Sequence, residues 1–514
     1  MTENLAGDYL LLEDIEVYFR SNKNFRLSDA QLKRSIRAFE FLKDFSQNKV
    51  IYGINTGFGP MAQYRIADGD LRNLQYNLIR SHANGTGAYL SADATRIIMI
   101  CRLNTLALGY SGTSPGVLKT LESYISHGIY PVIPQHGGVG ASGDLVQLAH
   151  LALGLIGEGE AYFNNEVVPV QQALLSANIQ PAELQLRDGL SLINGTSCMS
   201  GLATINLIHT STLLYYSVLA SSVMNELTAS YTDSFSKELN GTKLHSGQNY
   251  IAQQMREFLA DGNVLKDRKN HLFNEQYIDG QEFFSEKVQE YYSLRCVPQI
   301  LGPVYDTFLI TKKIVEEEIN SANDNPIVCA DTENVYHGGN FHGDYISFEM
   351  DKLKIGVTKM SMLMERQINY LMNKRLNNKF PEFLNMGKLG FNFGMQGMQF
   401  TAVSTTAENQ TLSNPVYVHS IPNNGDNQDI VSMGTNSALM AERVINNTFE
   451  VLAVQLVAIA QAIEIDQSYG KLAAASRELY DFVRKSVDVI TEDKPQYEGL
   501  ARLKANLIQS KKGI

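Results

Sequence analysis

Ala141-Ser142-Gly143 lies inside the run Gly137-Gly-Val-Gly-Ala-Ser-Gly-Asp144, where the backbone itself could become a reagent. Glycines and small residues leave the chain free to turn back on itself. The amide nitrogen of Gly143 can then add to the carbonyl carbon of Ala141. Loss of water closes a five-membered ring, and loss of the Ser142 hydroxyl leaves an exocyclic methylene. The product is an electrophile that no standard side chain supplies. A rival reading uses the same residues. Gly138-Val-Gly-Ala-Ser-Gly143 fits the dinucleotide pattern G-x-G-x-x-G, which needs a strand before it, a helix after it and an acid about 20 residues on. A helix does follow, with Leu145, Leu148, Ala149, Ala152, Leu155 and Ile156 on one face. Upstream, Tyr130-Pro-Val-Ile-Pro134 carries two prolines, which a central parallel strand does not accept. Glu158 and Glu160 follow the helix with no second strand to carry them. A nicotinamide-dependent oxidoreductase is the competing enzyme class, and a plain flexible glycine loop is the bland reading.

Four more clusters carry polar chemistry. Gly53, Gly57 and Gly59 surround Tyr52, and such a loop can act as a mobile lid. A tyrosine hydroxyl titrates near 10, about three units above neutral, so Tyr52 works as a base only beside a positive or electrophilic group. Leu192-Ile-Asn194-Gly-Thr-Ser197 is a turn by composition, or an amide that anchors a ring oxygen. In Tyr291-Tyr-Ser-Leu-Arg-Cys-Val-Pro-Gln299, the fork of Arg295 suits either a structural ion pair or a carboxylate bound through two bonds. Asn320-Ser-Ala-Asn-Asp-Asn-Pro326 and His337-Gly-Gly-Asn-Phe-His-Gly-Asp344 mark turns. Phe341 is either core or a support for a planar ring. His337 and His342 lack zinc spacing and a third ligand, so no metal is expected. Asn423-Asn-Gly-Asp-Asn-Gln-Asp429 reads by composition as a polar surface loop.

These residues need a scaffold, and the chain of 514 residues is long enough to bury a large core. The net charge of −11 argues against a nucleic-acid partner or an anionic membrane surface. Cys101, Cys198, Cys296 and Cys329 form no metal or redox pattern and suit a reducing cytoplasm. The polar start Met1-Thr-Glu-Asn4 does not read as a signal peptide. Ser28-Asp-Ala-Gln31 is a capping box that opens a helix to about Phe45. Pro115 starts another helix that Gly128 closes. Long helical stretches are expected at about 200–230, 347–376 and 435–466. The first and last are apolar over much of their circumference, as in a bundle shared between subunits. Strand signals are few, with Glu166–Val170 a candidate, and the charged tail from about Asp481 reads as exposed helices. The fold expected is mainly α. A smaller N-terminal domain, 1–199, bears the Ala-Ser-Gly segment, and a long-helix bundle domain covers 200–514.

Taken together, these segments resemble the aromatic amino acid ammonia-lyases, the family of histidine, phenylalanine and tyrosine ammonia-lyases and related aminomutases. The resemblance runs from about residue 50 to 470. It implies that Ala141, Ser142 and Gly143 cyclise unaided to a methylidene-imidazolone (MIO), without a metal. It implies a homotetramer whose active sites draw on more than one subunit. Tyr52 resembles the base that removes a β-proton, and Tyr292 a second catalytic tyrosine. Asn194 resembles the residue that positions the MIO or the amine, and Arg295 the carboxylate clamp. Gln299 and Asn325 match polar wall positions, Phe341 the aromatic residue packed near the MIO, and Gly59 a substrate-binding position of the Tyr52 loop. The helix after Asp144 is expected to turn its positive end toward the MIO. In one route the MIO takes up the substrate amine and in another it attacks the aromatic ring, and the residues are compatible with both.

Ser81 and His82 lie where the family reads the substrate side chain. Ser-His resembles histidine lyases, whereas many tyrosine lyases carry His-Leu and phenylalanine lyases Phe-Leu. Asn427-Gln428-Asp429 carries glutamine where histidine lyases place glutamate, and a neutral amide suits an imidazole poorly. His82 could instead bond a phenol, a buried polar contact that discriminates strongly. The runs Gln75–His82 and Gly390–Gly397 also resemble bacterial tyrosine ammonia-lyases. The expected reaction is L-tyrosine to trans-p-coumarate and ammonium. Histidine to urocanate is the alternative substrate, and an aminomutase is the alternative outcome.

Overall fold

The computed structural model describes residues 9–21, 23–274, 280–284 and 286–514. Met1–Asn4, read above for a leader, lie outside the described residues. Helices dominate, strands are few, and the chain is mainly α as expected. It divides into two compact units. The first contains Met1–Leu207, Thr311–Asp351 and Pro415–Glu442, and the second Ile208–Ile310, Lys352–Asn414 and Arg443–Ile514.

In the first unit, local signals place the helices. Ser28 accepts from the Gln31 amide, and the Gln31 side chain accepts from the Ser28 amide at 2.9 Å, opening the helix Asp29–Phe45. Helix Pro115–His127 ends at Gly128, which takes the left-handed conformation at φ 69°. Helix Ala92–Ala107 was not anticipated. It is buried round its whole circumference, with Ile97, Ile98, Met99, Ile100, Cys101 and Leu103 at zero exposure, so it carries no amphipathic period to read. Helices Leu71–His82, Leu145–Leu155 and Asp188–Ile193 pack on one another. Among the described residues the strands form three small antiparallel sheets. Glu166–Pro169 pairs with Glu160–Phe163 through the two-residue turn Asn164-Asn165. Both asparagines have positive φ, as a tight hairpin turn requires. Tyr130–Pro131 is a two-residue antiparallel strand, in keeping with its prolines.

The second unit holds the C-terminal parts of helices Ser197–Leu227, Asp344–Met372 and Gly434–Asp466 and the N-terminal part of Val297–Ile319. The first three are the long helices expected from the sequence. Gly434–Asp466 is apolar and long enough to cross a membrane by composition, yet 83% of its most apolar window is buried inside the protein. It is a core helix. Buried amides cross-link this unit. Gln455 Nε2 donates to Gln367 Oε1 at 2.5 Å, and Gln367 Nε2 donates to Ser221 Oγ at 3.0 Å. Glu226 accepts from the Ala473 amide at 2.8 Å and so holds the start of helix Ala474–Arg484.

Asp188, fully buried, accepts from the amide and hydroxyl of Ser114 at 2.8 and 2.6 Å and from the Gln185 amide at 2.8 Å. Burial, the largest influence, pushes its carboxyl up to about 6, against ~3.9 for a free aspartate. Between those values the folded chain holds the proton more tightly than the unfolded chain. The group therefore adds stability as pH falls from 7 to 5. Asp188→Asn removes this titration, so the variant's deficit in unfolding free energy should grow by about 1 kcal/mol between pH 7 and pH 5. A deficit that shrinks on acidification contradicts the assignment.

Candidate active site

Three segments of the first unit clamp the loop that carries Ala141-Ser142-Gly143. Gly143 meets Gly195 in an isolated bridge, and the Asp144 amide donates to the Gly195 carbonyl at 2.8 Å. A Cβ at Gly143 (φ +71°) would stand 2.0 Å from the Gly195 oxygen, so only glycine fits. The Gly140 carbonyl accepts from the Gly343 amide at 3.1 Å and from Ser432 Oγ at 3.0 Å. The Met433 amide donates to the Val139 carbonyl at 2.9 Å. Asp144, fully buried, accepts from Thr435 Oγ1 and from the Met199 amide at 2.9 Å. It thereby caps the first turn of helix Ser197–Leu227, and burial pushes its carboxyl up to about 6.

Ser142 is held at two atoms. Its carbonyl accepts from Asn194 Nδ2 at 3.0 Å, and its hydroxyl oxygen accepts from Gln428 Nε2 at 2.9 Å. Asn194 Oδ1 accepts from the Asn325 amide at 2.9 Å, so both ends of the Asn194 amide are used and its orientation is fixed. Asn325 is fixed in turn. Arg187 and Asp324, 0% and 1% exposed, form a two-bond ion pair at 2.9 Å, and Arg187 Nη2 also donates to the Asn325 carbonyl at 2.9 Å. Asn325 Oδ1 accepts from the Gly338 amide at 2.9 Å.

Ser142 opens on a cavity of about 310 Å³. Of the residues expected at the site, Tyr52, Gly59, Ser81, His82, Asn194, Asn427 and Gln428 line it with Ser142. The Gly59 amide donates to Tyr52 Oη at 3.1 Å, and the Tyr52 ring meets Phe58 edge-on at 6.0 Å. His82 Nδ1 lies 2.9 Å from the Leu78 carbonyl and 3.0 Å from Ser81 Oγ. A carbonyl can only accept, so Nδ1 carries the proton and Nε2 of the neutral ring is an acceptor. Ala141 is buried and reaches the site through the loop. Asn325 and Phe341 are not among the lining residues. Asn325 acts on Asn194, and Phe341 sits half-buried in the segment whose Gly343 holds Gly140.

Tyr292, Arg295 and Gln299 belong to the second unit. Gln367 Nε2 donates to the Ser293 carbonyl at 2.7 Å and Asn225 Nδ2 to the Leu294 carbonyl at 3.3 Å, pinning the short helix Tyr292–Arg295. The Arg295 guanidinium lies over the Tyr292 ring at 4.7 Å. Tyr292 is 68% exposed and lines a cleft of about 630 Å³ with Lys287, Arg366 and Tyr370. Arg295 and Gln299 line another of about 430 Å³ with Tyr231 and Arg268.

Sequence reasoning missed the apolar wall, formed by Met61, Leu74, Leu78, Leu145, Leu190 and Ile193, and the exposed Asn77. A signal existed. Leu74, Asn77, Leu78, Ser81 and His82 recur at helical spacing in Leu71–His82, so one face of that helix turns to the cavity. Among the described residues no group of three or more His, Cys, Asp or Glu side chains is arranged to hold a metal.

The profile of the family described as aromatic amino acid lyase matches residues 10–485. The chain belongs to this family. It is an enzyme of the ammonia-lyase class that acts on aromatic amino acids, which sets the oxidoreductase reading aside. The chain is 38% identical over 500 residues to a tyrosine 2,3-aminomutase of Chondromyces crocatus, covering 96% of this chain and 94% of that one. It is 37% identical over 497 residues to a histidine ammonia-lyase of Staphylococcus saprophyticus, covering 96% of each. It is 38% identical over 472 residues to a tyrosine ammonia-lyase of Cupriavidus metallidurans, covering 90% and 87%. The solved phenylalanine aminomutase of Pantoea agglomerans superposes with a TM-score of 0.95 at 33% identity, covering 99% of both chains.

In this lyase scaffold the Arg187–Asp324 pair underlies Asn325 and, through it, Asn194. Asp324→Asn leaves a buried guanidinium without its counter-charge and should lower stability by about 3 kcal/mol. Chemical denaturation of the variant measures this, and an unchanged midpoint contradicts the role given to the pair.

Proposed function

We propose that this enzyme eliminates ammonia from L-tyrosine to give trans-p-coumarate, using an MIO formed from Ala141, Ser142 and Gly143. The observation that carries the reading is the convergence of Ser142, Tyr52 and His82 on one cavity of about 310 Å³, the lower end of the range for small-molecule sites. The residues present fit the ring. Gly143 has no room for a side chain, and the Ser142 carbonyl and hydroxyl each meet an amide donor. Once formed, the ring supplies an electron sink that makes a poor leaving group, the substrate amine, leave.

The chain's own residues do the rest. Tyr52 takes the β-proton. The Gly59 N–H already points at its oxygen and gives a developing phenolate a donor. Asn194, oriented by Asn325, keeps its NH2 on the oxygen that becomes the ring carbonyl. Gly59 and Asn427 close the substrate cavity beside Tyr52, and Phe341 packs near the ring. Arg295 clamps the substrate carboxylate, with Tyr292 and Gln299 as its companions. We assign these three to another copy of the chain in a homotetramer with shared sites. Tyr292, 68% exposed in the single chain, suits delivery to a neighbour.

The choice of tyrosine rests on His82 and Gln428. His82 lines the cavity, its free acceptor is Nε2, and a phenol hydroxyl is the matching donor. Ser81 supports the tautomer through Nδ1. An imidazolium would call for a carboxylate, but position 428 carries an amide that already donates to Ser142. The second reading is an aminomutase outcome, favoured by the identity to tyrosine 2,3-aminomutases. It would use the same residues and return a β-amino acid.

Steady-state assays with tyrosine, phenylalanine and histidine should give coumarate and ammonium as the dominant products. Urocanate without coumarate defeats the substrate assignment, and β-tyrosine without coumarate defeats the lyase outcome. Tyr52→Phe should retain the ring and lower kcat by ~10²–10⁴. His82→Phe should lower kcat/KM for tyrosine by about 10²-fold or more relative to phenylalanine. An unchanged ratio contradicts the phenol contact.

A further inference from the structure

Arg102 sits in the buried helix Ala92–Ala107 and is 1% exposed. Its Nη2 donates to the Asn194 carbonyl at 2.7 Å and to the Ser191 carbonyl, and its Nη1 donates to Asn323 Oδ1 at 3.2 Å. Its Nε has no partner among the described residues. The two buried carboxylates that act on Arg102 without bonding it are engaged elsewhere, Asp324 by Arg187 and Asp144 by Thr435 and the Met199 amide. A full charge has thus been placed in the core to bind three neutral oxygens. Such a placement is unfavourable for stability, because desolvating a cation costs several kcal/mol that neutral acceptors return only in part. The oxygens it holds have one thing in common. Two are carbonyls of the turn that ends in Asn194, and the third belongs to the Asn323 side chain beside Gly195.

The next residue shows what this achieves. Gly195 has φ +153°, and a Cβ there would stand 2.2 Å from Arg102 Nη1 and 2.7 Å from Asn323 Oδ1. The guanidinium occupies the space a side chain would take, and the peptide is pressed onto it. The carbonyl of Gly195 then accepts from the Asp144 amide and faces Gly143, while Asn194 reaches Ser142.

We propose that Arg102 is a positioning residue for ring closure, fixing Asn194-Gly195 as the template against which Ala141-Ser142-Gly143 folds. The proposal rests on the ring reading given above. In the step itself, the Gly143 nitrogen bonds to the Ala141 carbonyl carbon. That carbonyl oxygen leaves as water with the protons of the Gly143 and Ser142 amides, which creates a C=N bond in the ring. A second water takes the Ser142 Cα hydrogen and its hydroxyl, which creates the exocyclic C=C bond. Asn194 polarises the Ser142 carbonyl and so acidifies the Cα hydrogen. Gln428 donates to the departing hydroxyl. Arg102 touches none of these atoms and acts by holding Asn194 and Gly195 in place.

The test is intact-mass spectrometry of Arg102→Lys and Arg102→Gln, sampled over time after low-temperature expression, with circular dichroism to confirm the fold. The wild-type chain, run in parallel, should weigh about 36 Da less than its sequence. A lysine cannot span three acceptors as a planar fork does. Folded variants should stay at the full sequence mass or lose the two waters about 10²-fold more slowly. A folded variant that loses them at the wild-type rate overturns the proposal. Should both variants fail to fold, Asn323→Ala carries the test. It keeps the cation and removes one acceptor, so slower loss is expected and a wild-type rate overturns the proposal. A wild-type chain at full sequence mass instead overturns the ring reading itself.

Discussion

The contact on which this structure depends is between two glycines. Gly143 and Gly195 approach so closely that the oxygen of one lies where a side chain of the other would begin. Two backbones meet that tightly only when neither carries a Cβ and when both are held from behind. Arg102 holds the Gly195 side. The Asp144 carboxylate, buried against helix Ser197–Leu227, holds the other. Beneath Asn194 lies the Arg187–Asp324 pair. Four buried charged side chains of the first unit, Arg102, Asp144, Arg187 and Asp324, thus stand behind one short loop. This distribution is better explained by fixing a conformation than by adding stability, since apolar side chains would fill the same volume at lower cost.

Much of this was legible in the sequence, for physical reasons. The capping box at Ser28 and the proline and glycine that bound Pro115–His127 act locally, so they can be read from neighbours alone. The Ala141-Ser142-Gly143 loop stood out because glycine-rich loops are rare among long helices, and Tyr52, His82 and Asn194, which share its cavity, because their neighbours repeat a family pattern. Helix Ala92–Ala107 was not legible, because a helix buried on all sides shows no periodicity. Arg102 was missed for the same reason. An arginine in an apolar helix carries no local sign that it will meet a turn some 90 residues later in the chain. Asn423–Asp429 reads as surface by composition and is mostly exposed, and its half-buried Gln428 also supplies the amide that holds the Ser142 hydroxyl. Contacts across that much chain are set by packing and not by spacing.

On the proposed reading, substrate choice falls to a few atoms because the rest of the cavity is generic. Leu74, Leu78, Leu190 and Ile193 would accept any aromatic ring of suitable size. An apolar wall distinguishes side chains weakly, whereas a buried hydrogen-bonding group rejects a ligand that cannot satisfy it. Half-buried His82 is proposed as such a group once substrate covers it, and its tautomer is set by the Leu78 carbonyl one helical turn earlier. The helix backbone thus sets which chemical partner the imidazole can take. The residues proposed to grip the carboxylate lie on a separate unit, where Gln367 and Asn225 fix their turn. On the proposed assignment, recognition of the ring and recognition of the amino acid head group are built on different parts of the chain.

The central claim is that the chain makes its own electrophile from three consecutive residues. Mass mapping of the proteolytic peptide spanning Gly137–Asp144 from active enzyme tests it most directly. The account predicts a loss of two waters, about 36 Da, confined to Ala141-Ser142-Gly143 and absent in Ser142→Ala. An active enzyme whose peptide carries the full mass, with an intact serine, would contradict it.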